Sequence, residues 1–275
     1  MKKNKTAPIV KYFFAYLFAF IFLYPIYFTV ISSVKDNNEI WNTMFALPSV
    51  MQWSNYTTAI QDVGILQAVV NSLIFAIGAS IVVVIFITMA AYVGARKLMH
   101  GSGFMKLYFL LGLMIPPYAM LVPVVTMFTQ YGLTGQYWSM IFLYAAINFP
   151  LSYYLISNFI STVSRELDEA ATIDGCGTLG IVFKIIFPIA MPGISTAAIL
   201  TFLSVYNEFV FANSLLTTKT MKTIAVRLMG LSGERFTSYG PMFASIVMSI
   251  IPILIVYLLL QERVESGMTA GAVKG

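Results

Sequence analysis

Residues Ser161 to Gly193 read STVSRELDEAATIDGCGTLGIVFKIIFPIAMPG, and the organisation of the whole chain follows from how this stretch is read. It sets acids, a base, glycines and prolines between runs that are almost wholly apolar. Ser164 can cap a helix that begins with Glu166 and Asp168, acids that suit the positive end of a helix. Leu167, Ala170 and Ala171 fall on one face at helical spacing. The helix should stop near Asp174–Gly175, because glycine takes the left-handed conformation at low cost. A second helix is expected from about Thr178 to Phe187, halting at Pro188. The product is a helix–turn–helix elbow with small residues at its corner. Such a corner lets a partner's groove come close to the backbone, and Glu169 and Asp174 can offer charge-assisted bonds to its rim. A merely solvated connecting loop fits the pattern equally well.

On either side of this stretch the chain is lipid-like. Of its 275 residues 59% are hydrophobic and 10% charged, whereas a soluble domain carries about a quarter charged residues. Tyr12 to Val34 holds no charge and is too long and too aromatic for a cleaved signal peptide. Leu107 to Ser164 is also uncharged, too long for one crossing of about 20 residues, and divides at the polar turn Gln130–Gln136. The reading is an all-α membrane protein forming one transmembrane domain over 1–275, with six spans at about 12–34, 67–95, 107–129, 137–160, 190–213 and 239–260. The elbow segment is 161–188. Pro116, Pro117 and Pro123 must distort the third span, and such breaks are tolerated where the freed carbonyls face protein or a water-filled cavity. Residues 35–62, with Trp41, Trp53 and Tyr56, suit the membrane surface.

Basic residues set the orientation. With both termini cytoplasmic, eleven of the sixteen lysines and arginines lie inside, among them Lys11, Arg96, Lys97, Lys106, Arg165 and Lys184. The elbow then faces the cytoplasm. The net charge of +5 is scattered through short loops and gives no basis for nucleic-acid binding.

Several chemistries are excluded. One cysteine, Cys176, and one histidine, His100, make neither a disulfide framework nor a metal cluster. They also make no nucleophile–base set for a membrane enzyme. Gly175-Cys-Gly177-Thr-Leu-Gly180 has the G-x-G-x-x-G spacing, but it follows a helical segment and lies between spans, where that fingerprint has no meaning. No G-x-x-x-x-G-K-[ST] is present, so ATP hydrolysis would belong to another polypeptide. Asn207 and Glu208 interrupt the fifth span. A charge at mid-membrane costs about 2.5–3.5 kcal/mol on insertion scales, so Glu208 should face protein or water, as a pathway residue or in a structural bond with Asn207. The 22 phenylalanines and 16 tyrosines could stack on sugar faces, but no single one is assigned that role.

Glu169-Ala170-Ala171, Asp174-Gly175, Ile186-Phe187-Pro188 and Pro192 together resemble the cytoplasmic coupling motif of ABC-importer permeases, with Phe187 where leucine is usual and Cys176 where alanine is common. The tail Gly267-Met-Thr-Ala-Gly271-Ala-Val-Lys274-Gly275 resembles that of the maltose-type carbohydrate permeases. Tyr206-Asn207-Glu208-Phe209 resembles their Trp-Asn-Glu-Phe, and Asn71–Ser72 and Ala91–Tyr92 fit the same group. The resemblance spans nearly the whole chain. It implies the type I ABC-importer permease fold in a bacterial cytoplasmic membrane, with Glu166, Glu169, Ala170, Ala171, Asp174 and Gly175 docking into an ATP-binding subunit. It also implies tail contacts to that subunit from Gly267, Gly271 and Lys274, and pathway roles for Asn207 and Glu208. The implied partners are a second, homologous permease, two ATP-binding subunits using ATP and magnesium, an extracytoplasmic sugar-binding protein and a saccharide. No cofactor is expected on this chain. An ion-coupled secondary transporter built around Glu208 is the alternative, although no inverted repeat is visible.

Overall fold

The computed structural model describes residues 6–231 and 238–272, and among them there are helices and turns but no strand. In chain order the helices are α1 (Thr6–Ser32), α2 (Asn37–Asn42), α3 (Ser54–Gln61), α4 (Ile65–Arg96) and α5 (Ser102–Met114). A 3-10 turn at Pro117–Met120 leads into α6 (Leu121–Gln130), followed by α7 (Tyr137–Ile160) and α8 (Glu166–Ile173). Then come α9 (Thr178–Ile189), α10 (Met191–Tyr206), α11 (Val210–Leu215), α12 (Ile224–Leu231) and α13 (Tyr239–Ala272).

Four helical stretches are long and apolar enough to cross a bilayer: Lys11–Ser32, Ile65–Arg96, Tyr137–Ile160 and Tyr239–Leu259. Two bent pairs raise the count to as many as six if each pair is one span. Ser102–Met114 and Pro117–Gln130 meet at 88°, and Thr178–Ile189 and Met191–Tyr206 meet at 83°. The stretch 107–129 is therefore not one rod. Pro116 and Pro117 follow each other, and together they remove two ladder donors and push Ile115 into an extended conformation. The stretch 190–213 also differs from the expectation of one interrupted span. α10 stops at Tyr206, and the chain resumes as the short α11 after Asn207, Glu208 and Phe209.

The chain forms two compact units. One comprises the described residues of 1–66 and 227–252. In it the connection after α1 is a built structure. Asp36 caps α2 by accepting from the Glu39 N–H at 2.8 Å, and Asn55 donates to the Ser33 and Lys35 carbonyls at 3.0 and 2.9 Å. Lys35 is fully buried, its ammonium donating to the Thr43 carbonyl at 2.6 Å. These bonds leave Trp41, Phe45, Leu47 and Trp53 exposed, the distribution expected of aromatics at a membrane surface.

The other unit comprises 67–226 and the described residues after 252. Its centre is α7 against α10. Tyr144, Asn148, Ser152, Ile156 and Ile160 recur every fourth residue along the buried face of α7. Small residues bring the helices close. Gly193 lies where an added Cβ would meet the Phe159 side chain at 2.8 Å, and Gly78 does the same against Ile141 at 2.8 Å.

Candidate functional site

The elbow comprises α8, a tight corner and α9. α8 starts at Glu166, the first of the acids, with Arg165 and not Ser164 in the cap position; Ser164 accepts from the Glu166 N–H at 3.3 Å from one residue further back. The helix ends at Asp174, and Gly175 takes a φ of +79°. The Gly175 N–H then donates to the Thr172 carbonyl at 3.0 Å and the Cys176 N–H to the Ala171 carbonyl at 2.9 Å. This pair of bonds satisfies the last carbonyls of the helix, and only a residue content with positive φ can close it. An added Cβ on Gly175 would touch nothing, so its requirement is conformational and not one of space.

α9 does not halt at Pro188. It runs on to Ile189, because the turns from Ile181 to Ile186 widen into π-helical register. In that register the Phe187 N–H donates to the Val182 carbonyl, and the ladder is already displaced where the proline withholds its donor. The chain bends at Ala190 instead.

A salt bridge holds the elbow to the bundle. Arg96, at the last turn of α4, places Nε 2.7 Å from Oδ2 of Asp168 and Nη2 3.3 Å from Oδ1. Its Nη1 donates to the Val163 carbonyl at 2.8 Å and Nη2 to the Ser164 carbonyl at 3.3 Å. The Tyr92 hydroxyl adds a bond of 3.2 Å to Asp168. The arginine side chain is 4% exposed and that of Asp168 15%. One planar guanidinium thus fixes both the first turn of α8 and the segment leading into it, a fork that lysine could not supply.

Fixed in this way, α8 turns most of its surface outward. Ala171 and Asp168 face the bundle, while Glu166, Glu169, Ala170, Asp174 and Gly175 are exposed. So are Leu167 and Leu179, and Ile173 is 86% exposed. Ile173 thus stands bare on a short helix rich in acids and tied down by a buried ion pair. The expected apolar face of Leu167, Ala170 and Ala171 does not form as one buried stripe, because Ala171 alone of the three turns inward.

The Asn207–Glu208 break is built the opposite way. Glu208 accepts from the N–H groups of Phe211 at 2.8 Å and Ala212 at 3.0 Å, at the start of α11. The Tyr144 hydroxyl donates to it at 2.8 Å. Asn207 bonds back to the Leu203 carbonyl at 2.8 Å and is exposed, so the two do not form the structural pair that their adjacency suggested. Tyr118, on the broken third span, lies against Phe211 with ring centres 6.0 Å apart. The turn in the third span therefore packs against α11, the short helix that follows the Asn207–Glu208 break. Gly267 and Gly271 lie in the last turns of α13, and Lys274 lies outside the described residues. Among the described residues no group of three or more His, Cys, Asp or Glu side chains could hold a metal ion.

The described residues thus form a helical body with several apolar spans and a polar elbow held to it by a buried ion pair. Comparison with known proteins gives the family. Residues 87–270 match the family of binding-protein-dependent transport system inner membrane components. The multiple sugar-binding transport system permease protein MsmG of Streptococcus mutans is 34% identical over 100% of both chains. The melibiose/raffinose/stachyose import permease protein MelC of Bacillus subtilis is 29% identical over 91% of each. A crystal structure of a bacterial ABC transporter involved in the import of the acidic polysaccharide alginate superposes with a TM-score of 0.83. That match covers 95% of this chain and 98% of the other at 24% identity, a likeness of fold. The chain belongs to the binding-protein-dependent transport system inner membrane component family. It is a multi-pass membrane permease subunit of an ABC importer, a system that also includes a partner permease, an ATPase and a substrate-binding protein.

Proposed function

We propose that this chain is one of two different permease subunits of a bacterial carbohydrate importer, and that its elbow receives the stroke of a partner ATPase. The observation that carries this reading is the exposed Ile173, flanked by Glu169 and Asp174, on a helix locked to the bundle by Arg96 and Asp168. Two ATP-binding subunits would use ATP and magnesium, one of them docking on Glu166, Glu169, Ala170, Ala171, Asp174 and Gly175. Gly267, Gly271 and Lys274 would extend that contact from the tail. Both termini and the elbow lie in the cytoplasm of a bacterial cell, and the six spans form a single permease domain. Closure of the ATPase pair would drive the spans between inward- and outward-open states, delivering a saccharide from an extracytoplasmic binding protein. The sugar specificity named for MsmG and MelC supports a sugar or oligosaccharide as cargo.

Asn207 and Glu208 belong to the pathway in this reading through backbone and shape. The short α11 after the break packs against the turn at Pro117–Met120, and irregular backbone at membrane depth is stable where it lines a cavity. An ion-coupled cycle centred on Glu208 is disfavoured, since three donors already hold its carboxylate.

The test is extraction of the chain from its native membrane in mild detergent. A second permease and an ATP-binding protein should remain bound, and the ATP-binding protein should be lost in Glu169→Ala and in Gly175→Asp. Purification of the chain alone, with transport intact in vesicles, would overturn the reading.

A further inference from the structure

α4 is the one span-length helix among the described residues with neither a proline nor a break. Pro25, Pro150 and Pro252 lie inside α1, α7 and α13, and the remaining two candidate spans are the sharply bent pairs. Proline is the commonest source of a kink, because it removes a ladder donor and crowds the preceding turn. Glycine is the other weak point of a helix, and α4 is supported where it has one. Ile141 of α7 packs on Gly78, and Tyr153 of α7 packs on Gly94. α4 therefore runs its whole length as one continuous helix without the usual source of a hinge.

Both of its ends are fastened by buried polar groups. At one end Arg96 and Tyr92 hold Asp168 and the approach to the elbow. At the other, Asn71 is fully buried and donates to the Thr220 carbonyl at 2.8 Å and the Lys222 carbonyl at 3.0 Å. Ser72 beside it accepts from the Ile224 N–H at 3.0 Å. The Tyr137 hydroxyl donates to Oδ1 of Asn71 at 2.8 Å and fixes which way the amide points. These bonds seize the loop that follows α11, around the short 3-10 turn Lys219–Met221. The clasps lie about 38 Å apart at 1.5 Å per residue, more than the roughly 30 Å hydrocarbon core of a membrane.

We propose that α4 is a strut that carries displacement of the elbow to the 217–224 loop on the opposite face, with Arg96 and Asn71 as positioning residues at its two ends. The proposal rests on the importer reading given above. A stiff element fastened at both ends cannot move at one clasp without moving at the other, and it supplies the physical link that coupling between distant sites requires. The loop so moved is on the side from which a binding protein would deliver cargo. An ATP-driven push on the elbow then reaches the delivery side through one helix, without passing through the proline-containing or bent spans.

The experiment uses the complete transporter in lipid vesicles, with Thr218→Cys in this chain. It measures how fast a membrane-impermeant maleimide labels that cysteine, with and without Mg-ATP and orthovanadate. In the wild-type background the nucleotide should change the labelling rate about tenfold, within the usual range for two coupled sites. Asn71→Ala should abolish that change while leaving basal ATP turnover and subunit composition as they were. Arg96→Ala should abolish it too, and Arg96→Lys should restore only part, because one ammonium reaches the carboxylate but not the two carbonyls as well. Tyr137→Phe keeps the ring packing and frees the Asn71 amide, so it should give a partial loss in a fully folded chain. The double variant Arg96→Ala/Asn71→Ala should match either single, since one cut strut cannot be cut again. A full response surviving in Asn71→Ala or in Arg96→Ala would overturn the strut. A wild-type complex that hydrolyses no ATP would overturn the importer reading, and the strut with it.

Discussion

The elbow and the Asn207–Glu208 break both set acids against an apolar background, and they use them in opposite ways. At the elbow one acid, Asp168, is turned inward onto Arg96, which leaves Glu166, Glu169 and Asp174 free at the surface. At the break the acid itself is consumed, held by two backbone N–H groups and the Tyr144 hydroxyl. The difference teaches that an acid in a membrane protein declares its role through its donors. A carboxylate with its donors supplied from within is architecture, and one left bare on a rigid support is available to a partner.

The contrast can be broken most forcefully at Asp168. Asp168→Ala leaves the Arg96 guanidinium buried with only two carbonyls, and removal of one member of a buried pair costs about 3–5 kcal/mol. Thermal unfolding of the detergent-purified complex should show a large loss, and an unchanged midpoint would mean that the pair does not anchor the elbow. Glu208→Ala comes next. It strips three donors of their acceptor, at about 2–3 kcal/mol, and Glu208→Gln should recover a good part because an amide oxygen can still accept. If transport in the Gln variant fell to zero with stability restored, the carboxylate would have a chemical role beyond architecture. The smallest effect on stability, and the sharpest on function, belongs to Glu169→Ala. An exposed helix residue moves stability by no more than about 0.5 kcal/mol, yet binding-protein-stimulated ATP hydrolysis should collapse. Equal loss of folding and of coupling at Glu169 would erase the distinction between the two regions.

Much of the elbow was legible because its determinants are local. Ser164 two residues before the first helical N–H it satisfies, and Gly175 at the point that demands a positive φ, are rules of adjacent chemistry. The inward turn of Asp168 was not legible. It looked like another first-turn acid, and Arg96 looked like a charge that sets orientation, although 72 residues of sequence separate two groups now 2.7 Å apart. The π-helical widening of α9 was also hidden, since a proline read alone predicts a stop. The proline-free run of α4 was present in the sequence from the start. Its importance emerged only when every other candidate span among the described residues proved to hold an internal proline or a sharp bend.

The amino-acid sequence by itself determined that this is a helical membrane protein, where its polar elbow lies and which family pattern it follows. Those properties rest on composition, on runs of apolar residues and on neighbours a few positions apart. Tertiary structure alone decided which acid would be buried, which arginine would hold it, and that Asn71 would clasp a loop 149 residues away. A buried polar group must find a partner or pay heavily in desolvation, and in a bundle of long helices that partner comes from a distant part of the chain. Packing geometry, which no local pattern encodes, makes that choice.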